Sequence, residues 1–282
     1  MRLTLCGVRG STPSPGPCFV RYGGNTSCLA VAAADEAPRL VLDAGTGLTN
    51  LSRLLAGSAF VGTILLGHLH WDHTHGLPFF PAGGREDSDV TLLMPAQGDA
   101  EAVLARILSP PHFPITPSQL GGRWRFAGLE EGEHRIEGFS VLARQIPHKG
   151  GRTFGYRVSD GRSTFAYLSD HSPTALGPGA DGLGAHHEAA MELAAGADVL
   201  VHDAQHVASQ FPAVGYLGHS AVEYAVGLAD ATGARRLVLF HHDPGRTDDE
   251  IDAIVAAQQG GPVPVVGAAE GTVIELPESG AA

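Results

Sequence analysis

The chain has 282 residues, of which 43% are hydrophobic and 17% charged, so it can bury a sizeable core and is not intrinsically disordered. It has 18 basic and 30 acidic side chains and so a formal net charge of −12. This negative charge disfavours long nucleic acids and anionic membranes as partners. The three cysteines, Cys6, Cys18 and Cys28, form no disulfide framework. With no signal-peptide pattern and no run of about 18 apolar residues, the sequence predicts a soluble cytoplasmic protein.

Short apolar runs between glycines and prolines predict many short elements. Strands are expected over residues 3–8, 28–33, 39–42, 63–66 and 91–94, followed by an amphipathic helix over 98–108. Strands resume over 138–147, 154–159 and 163–168, with a hairpin turn at 159–162. Helices over 184–195, 220–231 and 247–258 then alternate with strands over 199–201 and 237–240. No linker or repeat interrupts this pattern, so residues 1–282 are predicted to form a single α/β domain.

The sharpest signal among the 15 histidines is the segment His68-Leu69-His70-Trp71-Asp72-His73, which directly follows an apolar strand. In a turn that leaves a strand, His68 and His70 are two residues apart and can point the same way. Asp72 and His73 continue around the bend toward a second position. Imidazole and carboxylate groups are common ligands of zinc, so the pattern suits two adjacent metal ions.

This segment resembles the signature of the metallo-β-lactamase-fold hydrolases. The family's later positions are matched in order by His148, by Asp170 and by His241 or His242, each of which follows a predicted strand. Residues 40–47 are similar to the glycine turn of the family. The resemblance implies an αββα sandwich of two mixed β-sheets flanked by helices, with the site along one edge of the sheets.

The resemblance also implies a set of ligands for two divalent ions, with Zn²⁺ as the first expectation and Mn²⁺ or Fe²⁺ as alternatives. Carried over by position, the first ion would be held by His68, His70 and His148, the second by Asp72, His73 and His241, and Asp170 would bridge them. His241 is preferred to His242 because it directly continues the apolar strand, and alternation turns the next side chain away. Asp72 is also counted among the catalytic residues.

The residue at position 170 discriminates among the branches of the family, and the segments 201–204 and 218–221 favour phosphodiester chemistry. An aspartate at position 170, where some lactamases of the fold have cysteine, resembles the phosphodiesterase, ribonuclease, glyoxalase and lactonase branches. Residues 218–221 are similar to a segment of the transfer-RNA 3′-processing ribonucleases in which a histidine assists cleavage, so His219 is a candidate proton donor. Asp203 lies in the segment that supplies its acidic partner, which is usually glutamate.

Four basic residues are candidates for binding a substrate anion. Lys149 is the only lysine of the chain and follows His148 directly, and Arg152 lies three residues beyond it. Arg9 and Arg21 flank a loop near the N-terminus. Their cationic side chains suit phosphate oxygens.

The sequence therefore predicts a dinuclear metal-dependent hydrolase. Its expected substrate is a small phosphodiester such as a cyclic nucleotide or a short oligonucleotide, attacked by a hydroxide generated from water at the two ions. Hydrolysis of a carboxyl ester, thioester or lactone by the same metals is the alternative, and a nonenzymatic metal-binding sensory module is a weaker one. No membrane partner is expected, and a homo-oligomer is left open.

Overall fold

The structure, a computed structural model, describes residues 1–276 and contains two seven-stranded sheets. The strands of the first sheet, in chain order, are β1 (Arg2–Gly7), β2 (Cys28–Ala32), β3 (Leu40–Leu42), β4 (Val61–Leu65), β5 (Asp89–Pro95), β6 (Arg123–Leu129) and β14 (Val273–Glu275). Their order across the sheet is β14-β1-β2-β3-β4-β5-β6, in which β3 to β6 run parallel.

The second sheet has the order β13-β12-β11-β10-β9-β8-β7. Its strands are β7 (Gly132–Ile136), β8 (Phe139–Gln145), β9 (Phe154–Ser159), β10 (Thr164–Leu168), β11 (Val199–Asp203), β12 (Leu237–Phe240) and β13 (Val265–Gly267). The strands from β10 to β13 are parallel. Parallel strands of one sheet end at the same edge, so the polar residues after β10, β11 and β12 meet there.

Helices cover the outer face of each sheet. They are α1 (Leu48–Leu54), α2 (Ala100–Ala105), α3 (Glu188–Ala194), α4 (Phe211–Val214), α5 (Val222–Thr232) and α6 (Asp248–Ala257). One apolar cluster lies between the two sheets, a second joins α3 and α5 to the second sheet, and a third joins α1 and α2 to the first. This layering confirms the predicted αββα sandwich of two mixed sheets.

Most predicted elements are present with their ends shifted by a few residues. The helix predicted over 98–108 is shorter at both ends in the structure. The Asp99 side chain accepts a hydrogen bond from the Ala102 amide at 2.8 Å, which starts α2 at Ala100, and the helix ends at Ala105. The predictions omitted α1, α4 and strands β6, β7, β13 and β14. Of the helices within residues 1–276, none has the length and apolar character needed to cross a bilayer.

Candidate active site

The histidine motif forms a tight turn after β4. Trp71–His73 is one turn of 3₁₀ helix, with His70 as its N-terminal flanking residue in an extended conformation. The Thr74 hydroxyl donates a hydrogen bond to the His70 carbonyl at 3.0 Å, which holds the turn closed. This geometry buries Asp72 and His73 behind His68 and His70, at the edge where β10 and β12 also end.

The structure brings the expected first group of ligands together. His68, His70, His148 and Asp170 present donor atoms that all lie within 4.8 Å of one another. Oδ2 of Asp170 is 3.6 Å from Nε2 of His68 and 3.4 Å from Nε2 of His148. Nε2 of His148 is 3.3 Å from Nδ1 of His70. Because His148 Nδ1 lies 2.8 Å from the Gly218 carbonyl and can donate to it, Nε2 is left as a lone-pair donor facing the group.

The expected second group of ligands surrounds Oδ1, the other carboxylate oxygen of Asp170. Asp72, His73, Asp170 and His241 again have donor atoms within 4.8 Å of one another. Oδ1 of Asp170 is 2.9 Å from Nε2 of His73 and 3.2 Å from Nε2 of His241. Nε2 of His241 is also 3.0 Å from Oδ2 of Asp72. Asp170 therefore lies between the two groups, as a bridging ligand requires.

The chemistry of these buried atoms fits two divalent ions. Nε2 of His68 and Oδ2 of Asp170 are buried and make no hydrogen bond among residues 1–276, and Nε2 of His73 and Oδ1 of Asp170 lie 2.9 Å apart but without the geometry of a hydrogen bond. Leaving so many buried polar atoms without partners is costly unless something else satisfies them. Bonds of about 2.0–2.1 Å to a tetrahedral zinc place its ligand atoms about 3.3–3.4 Å apart, close to the 3.3–3.6 Å separations of the first group.

The electrostatics of the cluster also favour cations. Burial lowers the pKa of His68, His70 and His148, which keeps these imidazoles in the neutral form that binds metals. Although burial opposes it, Asp170, Asp72 and Asp43 raise the pKa of His73 well above its usual value. Positive charge is thus favoured where the carboxylates converge.

Asp43 is a residue that sequence reasoning missed as part of the site. Directly after β3, its Oδ2 lies 2.8 Å from Nδ1 of His73, and it accepts hydrogen bonds from the hydroxyls of Tyr167 at 2.8 Å and Ser169 at 3.1 Å. It thereby fixes the His73 ring with Nε2 toward the cluster. The signal in the sequence is an aspartate directly after an apolar strand, inside the glycine turn at 40–47.

His219 and Asp203 form a pair beside the cluster. Nδ1 of His219 lies 3.1 Å from Oδ2 of Asp203 and 3.8 Å from Oδ2 of Asp170. The backbone amides of His171 and Ser220 donate to Asp203 Oδ2, and that of Gln205 donates to Oδ1. The Asp203 carboxylate is therefore held by four donors, unlike that of Asp170. Although burial opposes it, Asp203 and the other carboxylates raise the pKa of His219 to about 9.

Arg9, for which the sequence predicts binding of a substrate anion, is engaged within the protein itself. Its side chain is 0% exposed, and its guanidinium donates hydrogen bonds to the carbonyls of Gly23 at 2.7 Å and Arg246 at 2.7 Å. Arg9 instead joins the N-terminal loop to the segment before α6. Arg21 is exposed, but its guanidinium pairs with Asp249 and Asp252 on α6, so it is engaged away from the cluster.

Lys149 and Arg152 lie beside the cluster, and both already have protein partners. The Lys149 ammonium donates to the Tyr216 carbonyl. Arg152 lines a cavity together with His68 and His70, and its guanidinium donates to the Ala96 carbonyl at 2.6 Å and to Glu130 at 3.0 Å. The same cavity is lined by Arg106, which is not among the residues predicted to bind an anion.

Comparison with known proteins identifies the family of this chain. Residues 38–242 match the family described as the beta-lactamase superfamily domain. This match covers more than half of the chain. The chain therefore belongs to the β-lactamase superfamily and has the metallo-β-lactamase fold, as the motifs had indicated.

The similar proteins include a ribonuclease and a phosphatase. The chain is 31% identical over 162 residues to the Ribonuclease Z of Bradyrhizobium diazoefficiens, a match that covers 55% of this chain and 48% of that protein. It thus aligns with about half of that relative's length. The structure resembles the metallo-beta-lactamase fold protein YhfI from Bacillus subtilis, with a TM-score of 0.69, 18% identity and 97% and 98% of the two chains covered. It also resembles a diphosphatase of the PhnP family, with a TM-score of 0.68, 18% identity and 98% of each chain covered.

Proposed function

We propose that the protein is a dinuclear metal-dependent phosphodiesterase that acts on a small phosphodiester, such as a cyclic nucleotide or a short oligonucleotide. The observation that supports this proposal is that the His219–Asp203 pair lies beside two groups of His and Asp side chains that could hold metal ions and that share Asp170. Cleavage of a phosphodiester requires an activated nucleophile on one side of the phosphorus atom and a proton donor for the leaving oxygen on the other.

Seven side chains would hold the two ions: His68, His70, His148, Asp72, His73, His241 and Asp170. Divalent ions in such a site supply Lewis acidity and lower the pKa of water, so that a nucleophile forms at neutral pH. The carboxylates of Asp72 and Asp170 offset part of their charge, and the backbone amide of Ser11 donates to Oδ2 of Asp72 at 2.7 Å, which orients that carboxylate. Zn²⁺ is proposed, because five of the seven ligands are imidazoles.

His219 would donate the proton to the leaving oxygen. Asp203 holds Nδ1, so the protonated ring turns Nε2 toward the cavity that His219 lines together with Asp72 and Asp170. The pair is largely buried, with His219 8% exposed, and the negative charge of Asp203 favours the protonated imidazole. Asp203 acts here through His219 and is a positioning residue.

A small substrate accounts better for the charge of this protein than a folded RNA. The relative named Ribonuclease Z matches this chain over only about half of its own length. The present chain carries a net charge of −12. Binding of a long polyanion to an acidic surface would be weak and strongly dependent on salt. The zinc-loaded protein should therefore cleave bis-p-nitrophenyl phosphate or a cyclic nucleotide in preference to an acyl thioester or a lactone. Faster turnover of the thioester or lactone would contradict the phosphodiesterase proposal.

The proton-donor role of His219 predicts a dependence on the leaving group. An alkoxide needs a proton to leave, whereas p-nitrophenolate departs unaided. His219→Ala should therefore slow cleavage of a dinucleotide by about 10²- to 10⁴-fold and affect bis-p-nitrophenyl phosphate far less. Asp203→Asn should have a smaller effect in the same direction. Equal losses on both substrates, with metal content retained, would show that His219 does not donate the proton.

A further inference from the structure

An apolar groove lies next to the metal-ligand cluster and has no assigned occupant. It has a volume of about 510 Å³ and is bounded by Trp71 and residues 74–79 on one side, and by residues 104–113, at the end of α2 and beyond it, on the other. Its walls include Leu77, Phe79, Ile107 and Phe113. The size is within the usual range for a small-molecule site.

Trp71 connects this groove with the cavity of the candidate active site. Trp71 lines the groove, and it also lines the active-site cavity of about 340 Å³, whose walls include Asp72, Asp170 and His219. A ligand in the groove can therefore extend directly to the metal-ligand cluster. Because Trp71 lies between His70 and Asp72 in the sequence, its backbone is held by the same turn that positions those side chains.

The groove presents flat aromatic surfaces to solvent. Trp71 is 64% exposed, although it stacks against His75 with 5.6 Å between ring centroids and 17° between planes. Phe79 is 60% exposed and contacts Phe113 edge to face at 5.8 Å. Exposed aromatic rings beside a polar cleft are the features that stack on nucleobases in single-stranded nucleic-acid sites.

Arg106 adds a positive charge to the groove. Its guanidinium is exposed and makes no hydrogen bond or ion pair with any described residue of the chain. It lines the groove and also the adjacent cavity of about 280 Å³ that contains His68, His70 and Arg152. In a chain with a net charge of −12, a guanidinium without a protein partner beside the cleft suits an anionic group of a ligand.

We propose that this groove binds the nucleoside part of the substrate, with the base stacked on Trp71 and a second phosphate of the same ligand at Arg106. The inference rests on the proposed phosphodiesterase function and narrows the substrate to a nucleotide that carries more than one phosphate, such as a short oligonucleotide. An alkyl chain would also fill an apolar groove, but it would use neither the flat exposed rings nor the unpartnered guanidinium.

Diesters that share p-nitrophenolate as the leaving group can test which kind of ligand occupies the groove. The zinc-loaded full chain is assayed with thymidine 5′-(p-nitrophenyl phosphate), with the same compound carrying a 3′-phosphate, and with the ethyl and octyl esters of p-nitrophenyl phosphate. We expect kcat/KM to be roughly tenfold higher for the thymidine ester than for the ethyl ester, because a stacked base contributes about that much. The 3′-phosphate should raise it further.

Substitutions in the groove test its aromatic surface and its guanidinium group separately. Trp71→Ala and Phe79→Ala should each reduce the thymidine-to-ethyl ratio, and Trp71→Phe should preserve most of it. Metal content is measured for each, since Trp71 adjoins two candidate ligands. Arg106→Ala should abolish the gain from the 3′-phosphate, whereas Arg235→Ala, at the opposite edge beside Asp198, should leave it unchanged.

A binding measurement separates this inference from the proposed function. Trp124→Phe leaves Trp71 as the single tryptophan of the chain, which has two, and thymidine 3′,5′-bisphosphate should then quench its fluorescence. If the wild type cleaves none of the diesters, the proposed function fails, and the quenching still decides whether the groove binds nucleotides. Equal kcat/KM for the thymidine and ethyl esters together with no quenching, or a preference for the octyl ester, would overturn the nucleotide groove.

Discussion

His241 has a left-handed backbone conformation, with φ of +57°. Such a conformation is uncommon for a residue other than glycine and is found mostly where the surrounding structure imposes it. Here β12 ends at Phe240, and the turn directs the His241 ring toward Asp72 and Asp170. Its neighbour His242 points away and lies 2.9 Å from the Ala268 carbonyl through Nε2. Close packing supports the placement, because a Cβ atom at Gly10 would lie only 2.3 Å from Nδ1 of His241.

The positions of the two histidines predict different effects of their removal. His241→Ala should lower the metal content from two ions to about one per chain, since it deletes a donor of the second group. His242→Ala should keep both ions and lose about 1–3 kcal/mol of stability, because it removes a buried hydrogen bond. Elemental analysis after gel filtration and a thermal melt measure the two effects. The reverse pattern would place the ligand one residue further along the chain.

At the scale of elements, the candidate site depends on strands that end together. Tyr167 lies on β10, and its hydroxyl reaches Asp43 after β3, so this bond joins the ends of strands from the two different sheets. The hydroxyl of Tyr156 on β9 also crosses between the sheets, donating to the Leu66 carbonyl after β4 at 2.7 Å. These bonds fix the distance between the histidine turn on one sheet and Asp170 on the other.

The hydrogen bonds of Asp43 between the two sheets predict a measurable effect on metal affinity. Asp43→Asn keeps the shape of the side chain but removes the charge that orients His73, so affinity for the second ion should fall about 10- to 100-fold. The first ion should be affected less, since none of its histidines contacts Asp43 among the described hydrogen bonds. Competition with a chromophoric chelator measures both affinities.

Ser169→Ala is the matched control for Asp43→Asn. It removes one donor to the same carboxylate while leaving its charge and the contact with His73 in place. A small effect on the second ion is therefore expected. Unchanged affinities for both ions in Asp43→Asn would show that the charge of Asp43 does not support the second site.

For the whole molecule, the two metal ions are expected to stabilise the fold. The full chain loaded with zinc should contain two ions, and their removal by a chelator should lower the Tm by roughly 5–10 °C, as the loss of about 3 kcal/mol of ligand-linked stability would. The reason is that the candidate ligands lie on both sheets, so the ions link the two halves of the sandwich.

Single substitutions test the arrangement of the two ions. Asp170→Ala should reduce occupancy of both positions, because its two oxygens face different groups. His148→Ala should chiefly empty the first position. One ion or less per chain after gentle purification and supplementation with zinc would contradict the dinuclear arrangement.

Much of the candidate site can be predicted from the sequence because its residues directly follow apolar strands. The segment from His68 to His73 occupies one turn, so its local spacing alone indicates a metal site. His148, Asp170 and His241 could be added because their order along the chain matches that of the ligand positions in the family that the segment resembles. The alternation of short strands and helices likewise indicated the layered α/β fold, since burial of apolar faces requires such layers.

Tertiary structure alone decided which charged side chains are available to a ligand. Arg9 and Arg106 are both arginines in irregular segments, yet Arg9 is buried against carbonyls far along the chain and Arg106 faces an open groove. The role of Asp43 also depends on Tyr167 and Ser169, which are more than a hundred residues away in the sequence. Sequence spacing determines which residues share a turn or a strand end, whereas the burial and pairing of a charge depend on distant segments that only folding brings into contact.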